Sequence, residues 1–442
     1  MSSRVNKKEQ LSEDEKTPVV GSAAFQAKYA GRDIAAGIVT GTMAIPLSVG
    51  IAIMSDYPIK IGLATVAFAT LVGWIFSWFR PGNYIGCPGI AAGLAPMLAL
   101  GVATFGVENM AFCIFLTAIM QAVVWYFNWQ RYLLVAIPVY LVEGLLAGVG
   151  LKIFLKFLEF TYEIPENLVS VDQFWNDARI EMAIISTVSM AGFLFLFSKF
   201  KDKQPAIPYF AIIIAGIIVS QFIHVPMLYV EDVELKLIAP IPQVDSFMVF
   251  VYMILFCAVL AVIDVIEQVM SNAALEKIDP LKRKCNTNNS LLAIWVANLG
   301  SSFFGGMTNL DGLAKSTTNR LAGAYTKFSI VFIGMVVAFF TFNAEYLEYL
   351  PKFAIACVML LSGYKMIAGL IHVTHHGPYA MMLAIICGAL VWKLGIFEGL
   401  LIAMAVHGLI HFLIYLNREK MATKQIIKRY IDNLRKNSGD VS

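Results

Sequence analysis

The chain has 442 residues, 59% of them hydrophobic and only 14% charged. Soluble proteins carry about 25% charged residues, so this composition excludes a soluble globular domain and indicates an integral membrane protein. A formal charge of +3 is too small to argue for a nucleic-acid partner. The six cysteines lie mostly inside apolar runs with no CxxC spacing, which favours reduced packing residues over a disulfide frame or zinc site.

In chain order, residues 1–30 begin MSSRVNKKEQLSEDEKTP, too polar for a cleavable signal peptide, and read as a disordered cytoplasmic N-terminus. Apolar stretches of about 20 residues span a bilayer, and shorter half-helices reach part of the way. Seven candidates lie near 33–54, 60–79, 88–102, 109–128, 134–157, 179–199 and 206–224, within a first half at 31–225. Seven more lie near 247–273, 290–306, 311–323, 326–343, 350–370, 379–395 and 396–416, within a second half at 226–417. Intervals after even-numbered segments hold Arg80, Arg131, Lys199, Lys201, Lys203, Lys277, Lys282, Arg283, Lys284 and Lys327. The longest opposite intervals carry Glu163, Glu166, Asp172 and Asp177, then Glu231, Asp232 and Glu234. The positive-inside rule then places both termini in the cytoplasm. Residues 418–442 form a short basic tail, either lying on the inner leaflet or forming a solvated helix end.

Segments three and ten are short and broken by glycine: IGCPGIAAGLAPML (Ile85–Leu98) and LDGLAKSTTNRLAGA (Leu310–Ala324). Each is the third segment of its half, and paired interruptions at matching positions point to a transporter with inverted repeats. The expected fold is therefore an all-α membrane protein of about 14 segments in 7+7 inverted repeats, its two half-helices meeting at mid-membrane. Half-helix N-termini carry unpaired N–H groups and positive dipole ends, so together they form an anion site. Pro88 suits the first turn of such a helix, and Gly86 and Gly89 allow close backbone approach. The alternative is that Gly and Pro merely kink two ordinary helices.

Charged residues inside the spans are the functional candidates. Asp264, Glu267 and Ser271 share one face of segment eight. Lys315 either faces a bound anion or neutralises Asp311, Asp264 or Glu267, and Asp264 is placed to pair with it. Ser316 or Thr317 is positioned to donate to an oxyanion, with Asn319 a turn on. Lys315-Ser316 is not a phosphate loop, because Ala314 and Asn309 stand where that motif needs glycine. Arg320 is expected to snorkel toward the cytoplasm. Glu143 either lines a pathway or is a packed group, and Gly144 and Gly148 beside it form a small-residue contact face. His372, His375 and His376 read as interfacial histidines before a metal site, and His407 with His411 as hydrogen-bonding partners. No motif suggests intramembrane catalysis, so the chain is not expected to be an enzyme.

Five signatures in order resemble the sulfate permease (SulP) family of anion transporters, over roughly residues 30–417. They are AAGIVTGTMAIPLSVGIAIMSDYPIKIGL (Ala35–Leu63), Cys87-Pro88, the segment-eight acid followed by NSLLAIWVANLGSSFFGG (Asn289–Gly306), KSTTNRLAGAYT, and YLPKFAIACVML (Tyr349–Leu360). Three departures stand out: Leu47 replaces a usual Gln, Lys315 replaces a usual Arg, and Leu310-Asp311 stands where Thr-Gly is common. The family's cytosolic STAS domain is expected to be absent, since only residues 418–442 follow the last segment.

The resemblance implies a mobile core moving against a gate region, homodimers, and small-anion substrates. It implies Ser48, Ile51, Pro88, Gly89, Ile90, Lys315, Ser316, Thr317 and Asn319 around the anion. It places Glu267 at the family's acidic position and Ser271 at a hydroxyl position, with Asp264 and Asp311 nearby in a cation-coupling group. No cofactor is expected beyond a coupling sodium ion or proton, and the expected partners are a small inorganic anion, lipid and a second copy. The function implied is cation-coupled transport of sulfate or bicarbonate across a bacterial inner membrane. A passive anion exchanger or channel is the alternative, with a dicarboxylate or nucleobase carrier behind it.

Overall fold

A computed structural model describes residues 21–130, 132, 138–161, 177–204, 206–244, 246–394, 396–417 and 425. The expected N-terminal tail up to residue 20, most of the basic C-terminal tail, and Glu163, Glu166 and Asp172 lie outside the described residues. Hydrocarbon leaves no water to satisfy backbone polar groups, so apolar sequence of this kind becomes helix, with each N–H bonded within its own segment.

The first half contributes α1 (Ala30–Met54), α2 (Ile59–Phe79), α3 (Ala95–Phe105), α4 (Val107–Tyr126), α5 (Val139–Thr161), α6 (Asp177–Phe200) and α7 (Ala206–Ser220). The second contributes α8 (Phe247–Ile278), α9 (Thr287–Ser302), α10 (Leu313–Leu321), α11 (Phe328–Phe342), α12 (Lys352–Ala368), α13 (Pro378–Lys393) and α14 (Ile396–Asn417). A one-turn helix, Leu370–Val373, joins α12 to α13. Among the described residues, six helices are long and apolar enough to cross a membrane.

The helices pack as two groups, each drawing on both halves of the sequence. In one, α1 and α2 lie against α11, while α4 lies against α8 and α9. In the other, α5 lies between α12 and α13, with α14 on α13 and α7 on α6 and α12. Contact between the groups runs chiefly through α1, which touches α12 and α7. Small residues set these approaches. A side chain at Gly37 would strike the Ser329 carbonyl and Phe332 of α11, and one at Gly50 would strike Met359 of α12.

The small-residue face of α5 is present as expected. Gly144 lies on the backbone of Ala384 and Gly148 on the backbone of Gly388, both in α13. Above them the Tyr140 hydroxyl lies 3.0 Å and the Tyr379 hydroxyl 3.2 Å from a His407 ring nitrogen, with the His411 ring 4.4 Å away. The six cysteines are free and all but Cys285 are buried. Burial pushes the Cys285 thiol, in the loop after α8, up to about 12, so it stays protonated at neutral pH.

Between α7 and α8 the chain runs extended across both groups. Lys352 N donates to the Pro226 carbonyl and Leu228 N to the Leu350 carbonyl, each at 2.9 Å. Further on, Ile238 N donates to the Phe303 carbonyl at 2.7 Å and Gln243 N to Asn109 Oδ1 at 2.7 Å.

Replacing Gly144 with valine is expected to force α5 off α13, because the obstructing atoms are backbone and cannot rotate aside. The cost should be about 1–3 kcal/mol, read as a lower Tm of the detergent-purified protein. An unchanged Tm would show that the contact does not hold the second group together.

Candidate anion site at the two broken segments

The two interrupted segments meet as a two-residue antiparallel pair. β1 (Pro88–Gly89) lies beside β2 (Leu310–Asp311), with Pro88 opposite Asp311 and Gly89 opposite Leu310. Gly312 N donates to the Cys87 carbonyl at 3.1 Å, and Cys87 N donates to Ser316 Oγ at 2.9 Å. Each broken segment thus satisfies backbone groups that the other would leave orphaned.

This corrects one expectation about segment three. Its helix does not begin at Pro88; α3 starts at Ala95, with Pro96 in its first turn. Glycines at 86, 89 and 93 give the run poor helix propensity, and its backbone is used for cross-segment pairing instead. Pro88 is tolerated because a short edge strand does not need its missing N–H.

The Asp311 carboxylate anchors the pair. One oxygen, Oδ2, accepts from Asn83 Nδ2 at 2.6 Å, Gln268 Nε2 at 2.9 Å and Ser290 Oγ at 3.3 Å. The other, Oδ1, faces Lys327 Nζ at 3.5 Å. Asp311 N donates to Gln268 Oε1 at 2.8 Å, and Ser271 Oγ donates to the Asp311 carbonyl. Lys327 Nζ also donates to the Gly86 carbonyl at 2.6 Å. Lys327 therefore corrects its assignment as a loop cation: it is 4% exposed and belongs to the site. Gln268, Asn83 and Ser290 were missed as site residues because neutral amides and hydroxyls in a span carry no charge to flag them.

Lys315 lies in the first turn of α10, which begins after the N-cap Gly312. It is 1% exposed, and its Nζ makes no hydrogen bond. Among the described residues it makes no ion pair either, so the expected pairing with Asp264 is absent. Asp264 is engaged elsewhere, its Oδ2 accepting from Gln121 Nε2 at 2.6 Å and Asn298 Nδ2 at 3.1 Å. Asn298 Oδ1 in turn accepts from Asn309 N at 2.6 Å. Asp311 likewise takes Lys327, not Lys315, as its partner.

Gly89 sits directly beside the Lys315 ammonium. A side chain there would strike Nζ and come within 3.1 Å of Val66, and the backbone at φ +149° favours glycine in any case. Four residues on, a side chain at Gly93 would strike the Glu267 carboxylate, whose Oε1 is buried without a hydrogen bond. The run Gly89–Gly93 therefore has a buried ammonium at one end and a carboxylate at the other. Of the expected coupling group, Ser271 bonds the Asp311 carbonyl, whereas the Glu267 carboxylate lies against Gly93 with no hydrogen bond to either among the described residues.

The remaining candidates divide in the same way. Ser316 Oγ donates to the Gly312 carbonyl at 2.7 Å while accepting from Cys87 N, which makes it a staple. Asn319 Nδ2 donates to Ser329 Oγ at 2.8 Å and the Ile85 carbonyl at 3.3 Å. Thr317 is half-buried. Ser48 is buried on α1 and its Oγ makes no hydrogen bond, while Ile51 and Ile90 belong to one apolar cluster. Arg320 does not snorkel free: its Nε donates to the Ile278 carbonyl at 3.1 Å, capping the C-terminal end of α8.

Gly89→Ala is expected to impair the site twice over, through backbone strain of about 1–3 kcal/mol and through a methyl group pushed against Lys315 Nζ. Anion uptake by reconstituted protein should fall at least about tenfold, the equivalent of 1.4 kcal/mol. Unchanged uptake would mean that the ammonium is not held against this backbone in the working protein.

The sequence profile of the Sulfate permease family matches residues 31–387. A protein of Bacillus subtilis (strain 168) named "Putative sulfate transporter YvdB" is 24% identical over 413 residues, covering 89% of this chain and 75% of its own. The fold is also similar to the transmembrane domain of the cyanobacterial bicarbonate transporter BicA. There the TM-score is 0.70 at 16% identity, with 85% of this chain and 98% of that one covered. Against the structure of SLC26A9 the TM-score is 0.71 at 15% identity, with 88% of this chain and 66% of that one covered.

Proposed function

Because the chain belongs to the sulfate permease family of membrane anion transporters, we propose that it is a secondary active transporter of a small inorganic oxyanion, coupled to sodium ions or protons through Glu267. The observation that carries this reading is the Gly89–Gly93 run, flanked by the unpaired Lys315 ammonium and the Glu267 carboxylate, whose Oε1 is buried without a hydrogen bond. An unpaired buried cation is costly, and an oxyanion beside Gly89 would offset it. Ser48, whose Oγ makes no hydrogen bond, and Thr317 are the proposed donors to that anion. A proton or sodium ion at Glu267 would supply the matching positive charge at the other end. Sulfate and bicarbonate are the proposed substrates, in line with the names borne by YvdB and BicA.

The packing supports a 7+7 inverted repeat. The contact of α1 with α11 corresponds to that of α8 with α4 when each helix is exchanged for the one seven places away, and α2 with α11 corresponds to α9 with α4. β1 before α3 and β2 before α10 obey the same exchange. The two helix groups, joined mainly through α1, would move against one another in an elevator-like cycle. A homodimer in a bacterial inner membrane, with cytoplasmic termini, completes the proposal.

Uptake of radiolabelled sulfate and bicarbonate into proteoliposomes, with and without sodium and proton gradients, tests it. Glu267→Gln is expected to abolish gradient-driven accumulation while leaving anion exchange, and accumulation by that variant would overturn the coupling role. Lys315→Ala is expected to weaken anion binding at least about thirtyfold, the lower range for unpairing a buried charge. Unchanged affinity in folded Lys315→Ala protein would reject the anion contact. Uptake indifferent to every cation gradient would favour a passive exchanger.

A further inference from the structure

We propose that Asp311 and Lys327 are positioning residues for transport, acting as one buried ion pair that holds Gly89 and Lys315 in register across β1–β2. This rests on the reading of Lys315 as the anion's partner and extends it to two residues that need not touch the anion.

The geometry is specific. Lys327 Nζ grips the β1 side through the Gly86 carbonyl at 2.6 Å, while Asp311 belongs to β2 itself. Their ion pair at 3.5 Å therefore bridges the two broken segments from outside the strand pair. Gly86 must be glycine for this approach, since a side chain there would meet Asn83 and the Asp311 carboxylate. Every other polar contact on the carboxylate comes from a different element: Asn83 from the loop after α2, Gln268 from α8 and Ser290 from α9. Asn83 and Ser290 also meet Asn272 of α8, at 3.1 and 3.0 Å. Four pieces of chain thus converge on one carboxylate.

From Asp311 the constraint passes to Lys315 along a short path. β2 leads through Gly312, the N-cap of α10, into the turn that bears Lys315. A side chain at Gly312 would come within 2.9 Å of Lys315 Cε, so the N-cap backbone and the lysine stem are already in close contact. A shift of β2 would move the ammonium relative to Gly89. The cluster borders a cleft of about 20 Å³ lined by Arg80, Asn83, Ser290, Asp311 and Lys327, room for about one water molecule. Asp311 and Lys327 are both buried, at 2% and 4% exposed, where an unpartnered member would be expensive.

Positioning and simple electrostatics predict opposite signs for one substitution. Asp311→Asn removes a negative charge near the site, so electrostatics alone would tighten anion binding. If Asp311 positions the site, the same change frees Lys327 and weakens binding. The test measures the Kd and uptake KM of full-length Asp311→Asn, Lys327→Met, their double variant and Lys315→Ala, per folded protein. The probe is radiolabelled sulfate or bicarbonate, whichever the unsubstituted chain takes up. Each single change in the pair is expected to weaken affinity about tenfold, and the double variant to lose much less than the product of the two, as coupled neighbours do.

Tighter or unchanged binding by Asp311→Asn overturns the proposal, and so does a double variant that loses the full product. If neither single variant folds, the double variant decides: a loss below about tenfold supports the pair as a unit, and a larger loss overturns it. Weakened binding by Asp311→Asn with an unaffected Lys315→Ala would reject the anion reading and the positioning of Lys315 together. Weakened binding by Lys315→Ala with an unaffected Asp311→Asn would reject the positioning role alone.

Discussion

Two backbone segments that are each incomplete satisfy one another inside an apolar protein, and the rest of the site depends on that pairing. An unpaired N–H or C=O within the hydrocarbon region costs several kcal/mol. The stretches before α3 and α10 interrupt their helices where that penalty applies. β1 and β2 remove it by pairing Pro88 with Asp311 and Gly89 with Leu310. Side chains complete the arrangement, with Ser316 accepting from Cys87 N and Gln268 bonding both the backbone and the carboxylate of Asp311. The pairing brings Gly89, Lys315 and the start of α10 together, although residues 89 and 315 are far apart in the chain.

The glycines of this region are needed for proximity. At Gly86 the obstruction to a side chain is Asn83 and Asp311, at Gly89 it is Lys315, and at Gly93 it is Glu267. Each of the three abuts a charged side chain or its direct partner, so the absent Cβ is the space the site occupies. The same principle operates at larger scale in α1, where Gly37 and Gly41 admit α11 and Gly50 admits Met359 of α12. That helix belongs to one group and makes most of the contact with the other, so its small residues set how closely the two groups approach.

Much of this was legible in the sequence because hydrophobic runs in a membrane leave few alternatives. The candidate segments at 60–79, 179–199 and 396–416 match α2, α6 and α14 to within two residues at each end. The interruptions were visible from their glycines, and their shared role from matching positions in the two halves. What could not be read was which backbone groups they would use. Pro88 fits the first turn of a helix and an edge strand equally well, and only the pairing with Asp311 decides between them. Charge was also an incomplete guide. It identified Asp264, Asp311 and Lys315 but suggested the wrong partners, because amides such as Gln121, Gln268 and Asn298 donate to one oxygen of each carboxylate without a formal charge. Lys327 counts in the sequence among the charges of the intervals between segments, yet Asp33 of α1 accepts from Tyr325 N at 2.7 Å and Thr326 Oγ1 at 2.5 Å, pinning the turn before it inward.

These contacts separate the buried carboxylates by what they are free to do. Asp264 and Asp311 each accept at least two side-chain hydrogen bonds from neighbouring helices or loops, and Asp311 also has a cation. Taking on a proton or a sodium ion would require breaking those contacts and loosening the helices they join. All three acids keep one buried oxygen without a hydrogen bond, but among the described residues Glu267 accepts none on either oxygen, and its carboxylate lies against Gly93. A site that must gain and lose a cation in every cycle is better built on a group with coordination to spare than on one that anchors the fold. The same distinction separates the two lysines, since Lys327 is held by a carboxylate and a carbonyl while Lys315 is held by neither. One lysine and two acids are therefore fixed into the frame, and one lysine and one acid are left at the ends of the Gly89–Gly93 run, where the proposed anion and coupling cation would sit four residues apart.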